Sequence, residues 1–249
     1  MTPNEVLVSR KAGMTNLSSI IKPLDDTFHR DGDPLLLANK SSVYIISGRR
    51  GAGKSTLALS LLNSKLAFKK RFENIFLVSP TARSDKKFSK LVKELEDDDM
   101  PKFYEHLSDS VIENIIDFVK ADNEENKKKN LHCLILDDCV LDLPKSKTSL
   151  FNKLIITSRH HNVTIIIISQ KYNALPPIIR ANADLISFFP SLNTREIETF
   201  QEDINISKPL FYEIYNACSK SQNDFLHCNL LSFPPKFFCR FKELDVNFD

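Results

Sequence analysis

A glycine-rich segment early in the chain places the strongest constraint on its fold. Residues 48–55 read Gly-Arg-Arg-Gly-Ala-Gly-Lys-Ser and match the pattern G-x-x-x-x-G-K-[ST] at every fixed position. The apolar run Val43–Ser47 precedes this segment, and leucines at helical spacing follow it from Lys54 onward. Three of the five glycines of the chain lie within the segment, which argues against a chance match. A strand, a tight turn and a helix in this order predict a loop that wraps a phosphate group.

The residue types in this loop suit a nucleotide and a magnesium ion. Glycines allow the backbone to direct successive N–H groups at a phosphate, and the start of the helix adds the positive end of its dipole. We predict that Lys54 acts on the β- and γ-phosphates as a binding and catalytic residue, and that Ser55 offers its hydroxyl to Mg²⁺. The predicted ligands are therefore ATP and Mg²⁺, and the predicted nucleotide-binding residues are Gly48, Arg49, Arg50, Gly51, Ala52, Gly53, Lys54, Ser55 and Thr56.

Two adjacent aspartates follow another apolar run, Leu131–Leu136. If this run is a buried strand of a parallel sheet, Asp137 and Asp138 emerge at the edge where the phosphate loop lies. We predict that Asp137 holds Mg²⁺ directly or through water, and that Asp138 polarises the attacking water. The alternative for Asp138, that it only caps the following segment, stays open.

Three more polar residues flank the most apolar run, Val163–Ile168. Gln170 follows it and is placed to sense the γ-phosphate or to orient the water, although an amide that ends the strand and bonds to nearby backbone is a second open interpretation. Arg159 precedes the run and Arg180 follows it, and either is a candidate for the arginine that a neighbouring subunit supplies in ring ATPases. For both arginines, a charge at a helix end or a surface ion pair is an equally open interpretation.

Apolar runs that alternate with helical spacings indicate an α/β fold with a mostly parallel central sheet and helices on both faces. We predict an N-terminal extension over residues 1–40 and one ATPase domain over 41–249, with a core to about 205 and a helical and β-hairpin extension over 206–249. The predicted strands are 43–47, 74–79, 131–136, 163–168 and 184–189, with a hairpin of 225–231 and 236–241. The predicted helices are 54–68, 84–96, 108–120, 146–161, 194–201 and 208–219.

Composition indicates an ordinary soluble, intracellular protein. Of its 249 residues 42% are hydrophobic and 27% are charged, and the net charge of +2 neither requires nor excludes an anionic polymer as partner. Five cysteines without a C-x-x-C pair indicate neither a disulfide framework nor a zinc knuckle. We expect no membrane partner, because the chain lacks both a signal-peptide pattern at its start and an apolar stretch long enough to span a bilayer.

Several of these features also occur together in one known family. The chain resembles the genome-packaging ATPases of nucleocytoplasmic large DNA viruses and virophages, the poxvirus-type branch of the FtsK/HerA superfamily, over roughly residues 41–190. The resemblance rests on the phosphate loop, the Asp137-Asp138 strand end, the Arg159-His160 pair, the strand ending in Ser169-Gln170, and the segment from Leu175 through Arg180 to Asn182.

The resemblance implies a RecA-like P-loop core that works as a homo-oligomeric ring, a hexamer or pentamer. Such a ring drives double-stranded DNA into a preformed capsid with the energy of ATP. A strand-end glutamine, here Gln170, and an arginine finger belong to the same pattern. Capsid or portal-like vertex proteins are the implied partners, and the virus factory of the host cytoplasm and the virion are the implied locations.

Three other hypotheses remain. The first is a cellular-type HerA or conjugation-like translocase with the same motor. The second is a P-loop ATPase, kinase or regulator that does not act on DNA, although the chain shows neither a kinase lid nor a guanine-selective N-K-x-D segment. The third is a structural capsid component with a degenerate nucleotide site, against which the intact Lys54, Ser55, Asp137 and Asp138 argue.

Overall fold

The computed structural model describes residues 41–98, 100–126, 130–144 and 148–248. The predicted N-terminal extension, residues 1–40, and the predicted start of a helix at Ser146 lie outside the described residues. The strands are β1 (Val43–Ser47), β2 (Asn74–Val78), β3 (Phe103–Tyr104), β4 (His132–Asp137), β5 (Val163–Ser169), β6 (Leu185–Phe188), β7 (Leu226–Asn229), β8 (Lys236–Cys239) and β9 (Lys242–Glu243). The helices are α1 (Lys54–Asn63), α2 (Ser89–Glu96), α3 (Asp109–Asn126), α4 (Leu150–His161), α5 (Pro177–Ala181), α6 (Thr194–Ile204) and α7 (Lys208–Ala217).

All nine of these strands form one sheet in the order β3-β2-β4-β5-β1-β6-β7-β8-β9. The first six strands in this spatial order run parallel to one another, namely β3, β2, β4, β5, β1 and β6. The last three strands, β7, β8 and β9, continue the sheet with antiparallel pairings. Strand β5 lies between β1 and β4, with Ser47 beside Ser169 and Asp137 beside Ile168. The carboxyl ends of these three strands therefore meet at one edge, which we call the carboxyl edge. The opposite edge, where the parallel strands begin, is the amino edge.

Helices cover both faces of the sheet. One hydrophobic cluster contains side chains of α3, α4, α6 and α7, such as Ile115, Leu154, Phe200 and Phe211. The cluster on the other face contains side chains of α1 and α2, such as Leu61 and Val92. The parallel core strands are buried along their whole length, because side chains on both of their faces pack under helices. This arrangement confirms the predicted α/β class and mostly parallel sheet. Among the described residues, no helix combines the length and apolar character needed to cross a bilayer.

Several predicted element boundaries were wrong. Helix α1 ends at Asn63, not Phe68, because the chain turns so that Phe68 packs into the core beside Phe72, with ring centroids 5.4 Å apart. Helix α2 begins at Ser89, not Ser84, because a carboxylate oxygen of Asp85 accepts the N–H of Lys87 and competes with the helical pattern. Helix α3 continues to Asn126, past the predicted end at Lys120.

Candidate active site

The phosphate loop joins β1 to α1 and is held against the ends of two neighbouring strands. The N–H of Gly48 donates to the carbonyl of Ser169 at 3.1 Å. A side chain at position 48 would not fit, because an added Cβ atom would lie 2.4 Å from Cβ of Phe189. Gly53 caps the helix at a φ of +105°, in the left-handed region that glycine adopts without strain. The loop therefore takes its predicted position at the carboxyl edge.

Lys54 is buried inside this loop. The residue is 7% exposed, and its ammonium donates to the carbonyl of Arg49 at 3.1 Å. Burial lowers the pKa of Lys54, while the carboxylates of Asp138 and Asp137 act in the opposite direction. Arg49 and Arg50 lie exposed at the tip of the loop. A cation thus lies close to the two carboxylates at the carboxyl end of β4.

Asp137 lies at the bottom of the site, between two hydroxyl groups. Ser55 Oγ lies 3.4 Å from Asp137 Oδ1, and Ser79 Oγ lies 3.3 Å from Asp137 Oδ2. Asp137 is 3% exposed, and its burial, together with the nearby charge of Asp138, raises its pKa to about 6. The Ser79 hydroxyl, Lys54 and the Ser55 hydroxyl reduce this shift.

These groups fit a magnesium ion. A carboxylate and a hydroxyl are hard oxygen donors, and Mg²⁺ at nucleotide sites takes one or two protein ligands together with phosphate oxygens and water. Ser55 and Asp137, from α1 and β4, supply such a pair. No group of three or more His, Cys, Asp or Glu side chains that could hold a metal occurs among the described residues.

The structure brings Asp138 and Gln170 together. The amide nitrogen Nε2 of Gln170 donates to Asp138 Oδ2 at 2.9 Å. Asp138 has a φ of +55°, uncommon for a residue other than glycine, and its N–H donates to the carbonyl of Ile168 at 3.2 Å. This turn directs the carboxylate away from the strand and towards the amide that follows β5.

Arg159 and Arg180 lie at the amino edge and line the same cavity of about 450 Å³. Arg159 is 58% exposed, and its guanidinium donates to Asp184 at 2.6 Å. Arg180 is 13% exposed, pairs with Asp203, and lies over the ring of Tyr172. The length of a strand, roughly 15 to 20 Å, separates this edge from the phosphate loop of the same chain. The structure therefore does not bring either arginine to its own phosphate loop.

Two residues of this region were missed in the sequence. Ser79 follows β2 and contacts Asp137, and it could have been found as a third polar residue directly after a buried strand. Glu196 is buried in the first turn of α6 and accepts the N–H of Tyr172 and the hydroxyl of Ser191, both at 2.6 Å. Nothing in the local sequence distinguishes Glu196 from an ordinary surface acid of an amphipathic helix.

Comparison with known structures finds the same fold in archaeal virus proteins. The genome-packaging NTPase B204 of Sulfolobus turreted icosahedral virus 2, in complex with AMPPCP, is 18% identical, with 79% of this chain and 96% of that chain covered and a TM-score of 0.57. The DNA-packaging ATPase B204 of Sulfolobus turreted icosahedral virus is 21% identical, with 80% and 97% covered and a TM-score of 0.59.

The curated sequence relatives come from two viruses. Uncharacterized protein 075L of Invertebrate iridescent virus 6 is 26% identical over 200 residues, which is 80% of this chain and 70% of the relative. Uncharacterized protein 015R of Frog virus 3 is 27% identical over 150 residues, which is 60% of this chain and 44% of the relative. The family model of the poxvirus A32 protein matches residues 28–223, a range that includes the phosphate loop, both aspartates, Gln170 and the two arginines. This chain belongs to the poxvirus A32 protein family.

Proposed function

We propose that this protein is an ATP-hydrolysing motor that moves double-stranded DNA and packages a viral genome into a preformed capsid. One observation carries the proposal: the phosphate loop, Asp137 and the Asp138–Gln170 pair converge at one edge of the sheet in a chain of the A32 family. The B204 proteins, which share this fold, are described as a genome-packaging NTPase and a DNA-packaging ATPase, and these descriptions support a packaging activity for this chain.

Nucleotide binding falls to the phosphate loop. The loop N–H groups and the start of α1 stabilise the phosphate oxygens, and the Lys54 ammonium turns from the Arg49 carbonyl to the β- and γ-phosphates. Ser55 and Asp137 would hold Mg²⁺, which neutralises charge on the phosphates. The remaining residues of the proposed nucleotide site are Gly48, Arg50, Gly51, Ala52, Gly53 and Thr56.

Hydrolysis falls to the pair at the ends of β4 and β5. Asp138 accepts a proton from the attacking water as the water oxygen bonds to the γ-phosphorus and the bond to ADP breaks. The amide of Gln170 lies within hydrogen-bond distance of this carboxylate, so it can hold the carboxylate in place and contact the water or the γ-phosphate. The products are ADP and phosphate.

The arginine that stabilises the transferred phosphoryl group comes, in this proposal, from a neighbouring subunit of a homo-oligomeric ring, a hexamer or pentamer. Both candidates lie at the edge opposite their own phosphate loop, so each can act only on a site of another copy. Each arginine pairs with an aspartate of its own chain, and we favour Arg159 because 58% of its side chain is still exposed, whereas Arg180 is 13% exposed and also lies over the Tyr172 ring. The packaging role further implies capsid or portal-like vertex proteins as partners and the virus factory as its location.

The test is phosphate release with and without duplex DNA. We expect hydrolysis that duplex DNA stimulates, most strongly at low salt, because contacts with DNA phosphates weaken as salt rises. Lys54→Ala should abolish turnover, because Lys54 contributes to phosphate binding. The circular dichroism spectrum should stay unchanged, because the fold stays intact. Retained turnover in this variant would exclude the assigned site, and a rate indifferent to DNA across low and moderate salt would exclude the translocase.

A further inference from the structure

Ser79 is a buried serine beside the proposed Mg²⁺ site, and its hydroxyl has no role in the proposed mechanism. It directly follows β2, the strand next to β4, and its side chain is fully buried. Its main-chain N–H donates to the carbonyl of Tyr104 at 2.9 Å, which fixes the backbone in the sheet. Nothing in the sheet itself requires a hydroxyl at this position.

The hydrogen bonds around Ser79 give its hydroxyl a direction. The N–H of Thr81 donates to Ser79 Oγ at 3.3 Å, so this oxygen acts there as an acceptor. Two acceptors lie within reach of the hydroxyl proton, Thr81 Oγ1 at 3.4 Å and Asp137 Oδ2 at 3.3 Å, and the carboxylate is the stronger one because it carries a charge. A hydroxyl that accepts one hydrogen bond becomes a better donor in the next. The chain from Thr81 through Ser79 therefore ends on the carboxylate.

Asp137 is thereby held at both oxygens from two different elements. Ser79 reaches Oδ2 from the end of β2, and Ser55 reaches Oδ1 from the first turn of α1. The contact with the phosphate loop, through Ser55, is made at Oδ1. Holding Oδ2 from behind leaves Oδ1 directed at the position that a cation shares with Ser55. Residues that orient a metal-binding carboxylate in this way contribute to metal affinity although they do not touch the metal.

We propose that Ser79 is a positioning residue for Mg²⁺, which acts by holding Asp137 in the orientation that binds the cation. The inference rests on the proposed nucleotide site and adds to it a residue outside the phosphate loop and the β4 end. Thr81 contacts Ser79 Oγ through its main-chain N–H at 3.3 Å and also through its hydroxyl Oγ1 at 3.4 Å, so the side chain of Thr81 belongs to the same group of hydrogen bonds.

The test measures binding of a fluorescent ATP analogue as Mg²⁺ is titrated, and separately in EDTA. Ser79→Ala should raise the half-saturating Mg²⁺ concentration roughly 10- to 100-fold, while nucleotide affinity in EDTA stays within about twofold of wild type. Direct Mn²⁺ binding, followed by electron paramagnetic resonance in the presence of the analogue, should show the same loss. Both measurements are independent of turnover.

Ser187→Ala is the matched control. Ser187 is an equally buried strand serine, and its hydroxyl bonds to Tyr44 and His227 instead of a metal-binding carboxylate. Its removal should change stability without changing the Mg²⁺ titration. If Ser79→Ala fails to fold, Ser79→Cys fills the site with a slightly larger side chain that is a weaker donor, and it should give a smaller shift in the same direction.

An unchanged Mg²⁺ titration in Ser79→Ala would overturn the inference. An equal loss of binding with and without Mg²⁺ would also overturn it, because it would show that Ser79 only supports the fold. Failure of the proposed nucleotide site has a different signature, since wild-type protein would then show no Mg²⁺-dependent nucleotide binding at all, and failure of the DNA motor would show as turnover that duplex DNA does not change.

Discussion

At the scale of single residues, the site combines groups that are unfavourable for folding. Asp137 and Asp138 are adjacent carboxylates, and Asp137 is almost completely buried. A buried carboxylate favours its neutral form, as the pKa of about 6 for Asp137 reflects. Two hydroxyls and one ammonium offset only part of this cost. In the proposed mechanism a divalent cation requires this charge, so binding and stability make opposite demands on this residue.

This conflict predicts that Asp137→Asn inactivates the protein and stabilises it. The unfolded-state pKa of Asp is about 3.9 and the folded-state value is about 6, so the folded state takes up a proton first as pH falls. The cost of ionising Asp137 is therefore fully present above about pH 6 and absent below about pH 4. At pH 7.5 without nucleotide or Mg²⁺, we expect the free energy of unfolding to rise by about 1 to 3 kcal/mol.

Urea unfolding of wild type and Asp137→Asn at pH 7.5 and at pH 4 checks this prediction. The difference between the two proteins should be largest at pH 7.5 and should disappear at pH 4. Because each comparison is made at one pH, general acid destabilisation affects both proteins alike. A variant less stable than wild type at pH 7.5 would show that the hydroxyl contacts of Asp137 outweigh its burial.

At the scale of elements, the sequence predicted best what depends on local pattern. The apolar runs Val43–Ser47 and Val163–Ile168 are recovered within one residue as β1 and β5, since their burial on both faces leaves a continuous hydrophobic signature. Strand β3 has two residues, too few for any period to show. Helix α5 was also missed, although Pro177 at its first turn is a typical helix start.

Contacts between elements could not be predicted in the same way. One contact is an exception: the pairing of Gln170 with Asp138 joins two strand ends, and their proximity could be inferred because both ends lie at the same edge of a parallel sheet. The ion pairs of Arg159 with Asp184 and of Arg180 with Asp203 depend on how helices pack at the amino edge. No local pattern encodes that packing. Both arginines could therefore be singled out from the sequence, but neither their ion-pair partners nor their position at the amino edge could be predicted.

Helix α6 connects two loops of the site, and this connection makes a prediction. Glu196 accepts the N–H of Tyr172, two residues after Gln170, and the hydroxyl of Ser191 in the segment after β6. Glu196→Ala removes both anchors and leaves the Tyr172 N–H without its acceptor. We expect turnover to fall at least about tenfold, because a small displacement of a catalytic group is costly, while nucleotide affinity remains near wild type.

Steady-state kinetics together with nucleotide binding measures this effect. Glu196→Gln keeps an acceptor for Tyr172 and should fall between wild type and Glu196→Ala. Glu198→Ala, which removes an exposed acid two residues further along the same helix, serves as the control and should behave as wild type. Equal effects of the two alanine variants, or a parallel loss of nucleotide affinity, would show that Glu196 does not act through Gln170.

At the scale of the whole molecule, the two edges of the sheet carry different groups. The carboxyl edge holds the phosphate loop, the aspartates and Gln170, whereas Arg159 and Arg180 line a cavity at the amino edge. A catalytic site that needs an arginine would thus be incomplete in one copy of the chain. A head-to-tail contact presents different surfaces of two copies to one another, so it can bring these edges together, and it forms a ring when its rotation closes.

This arrangement predicts that two inactive variants restore each other when mixed. Lys54→Ala lacks a working phosphate loop but retains Arg159, and Arg159→Ala lacks the arginine but retains the phosphate loop. If Arg159 acts on the neighbouring subunit, random mixing at equal concentrations pairs an intact loop with an intact arginine at about a quarter of the interfaces. ATP turnover in the presence of DNA should therefore reappear on mixing, although each variant alone is inactive.

Arg180→Ala should instead lower the free energy of unfolding, because the guanidinium of Arg180 is held against Asp203 and the Tyr172 ring in its own chain. If ATP turnover returns when Lys54→Ala is mixed with Arg180→Ala but not when Lys54→Ala is mixed with Arg159→Ala, the roles of the two arginines are exchanged.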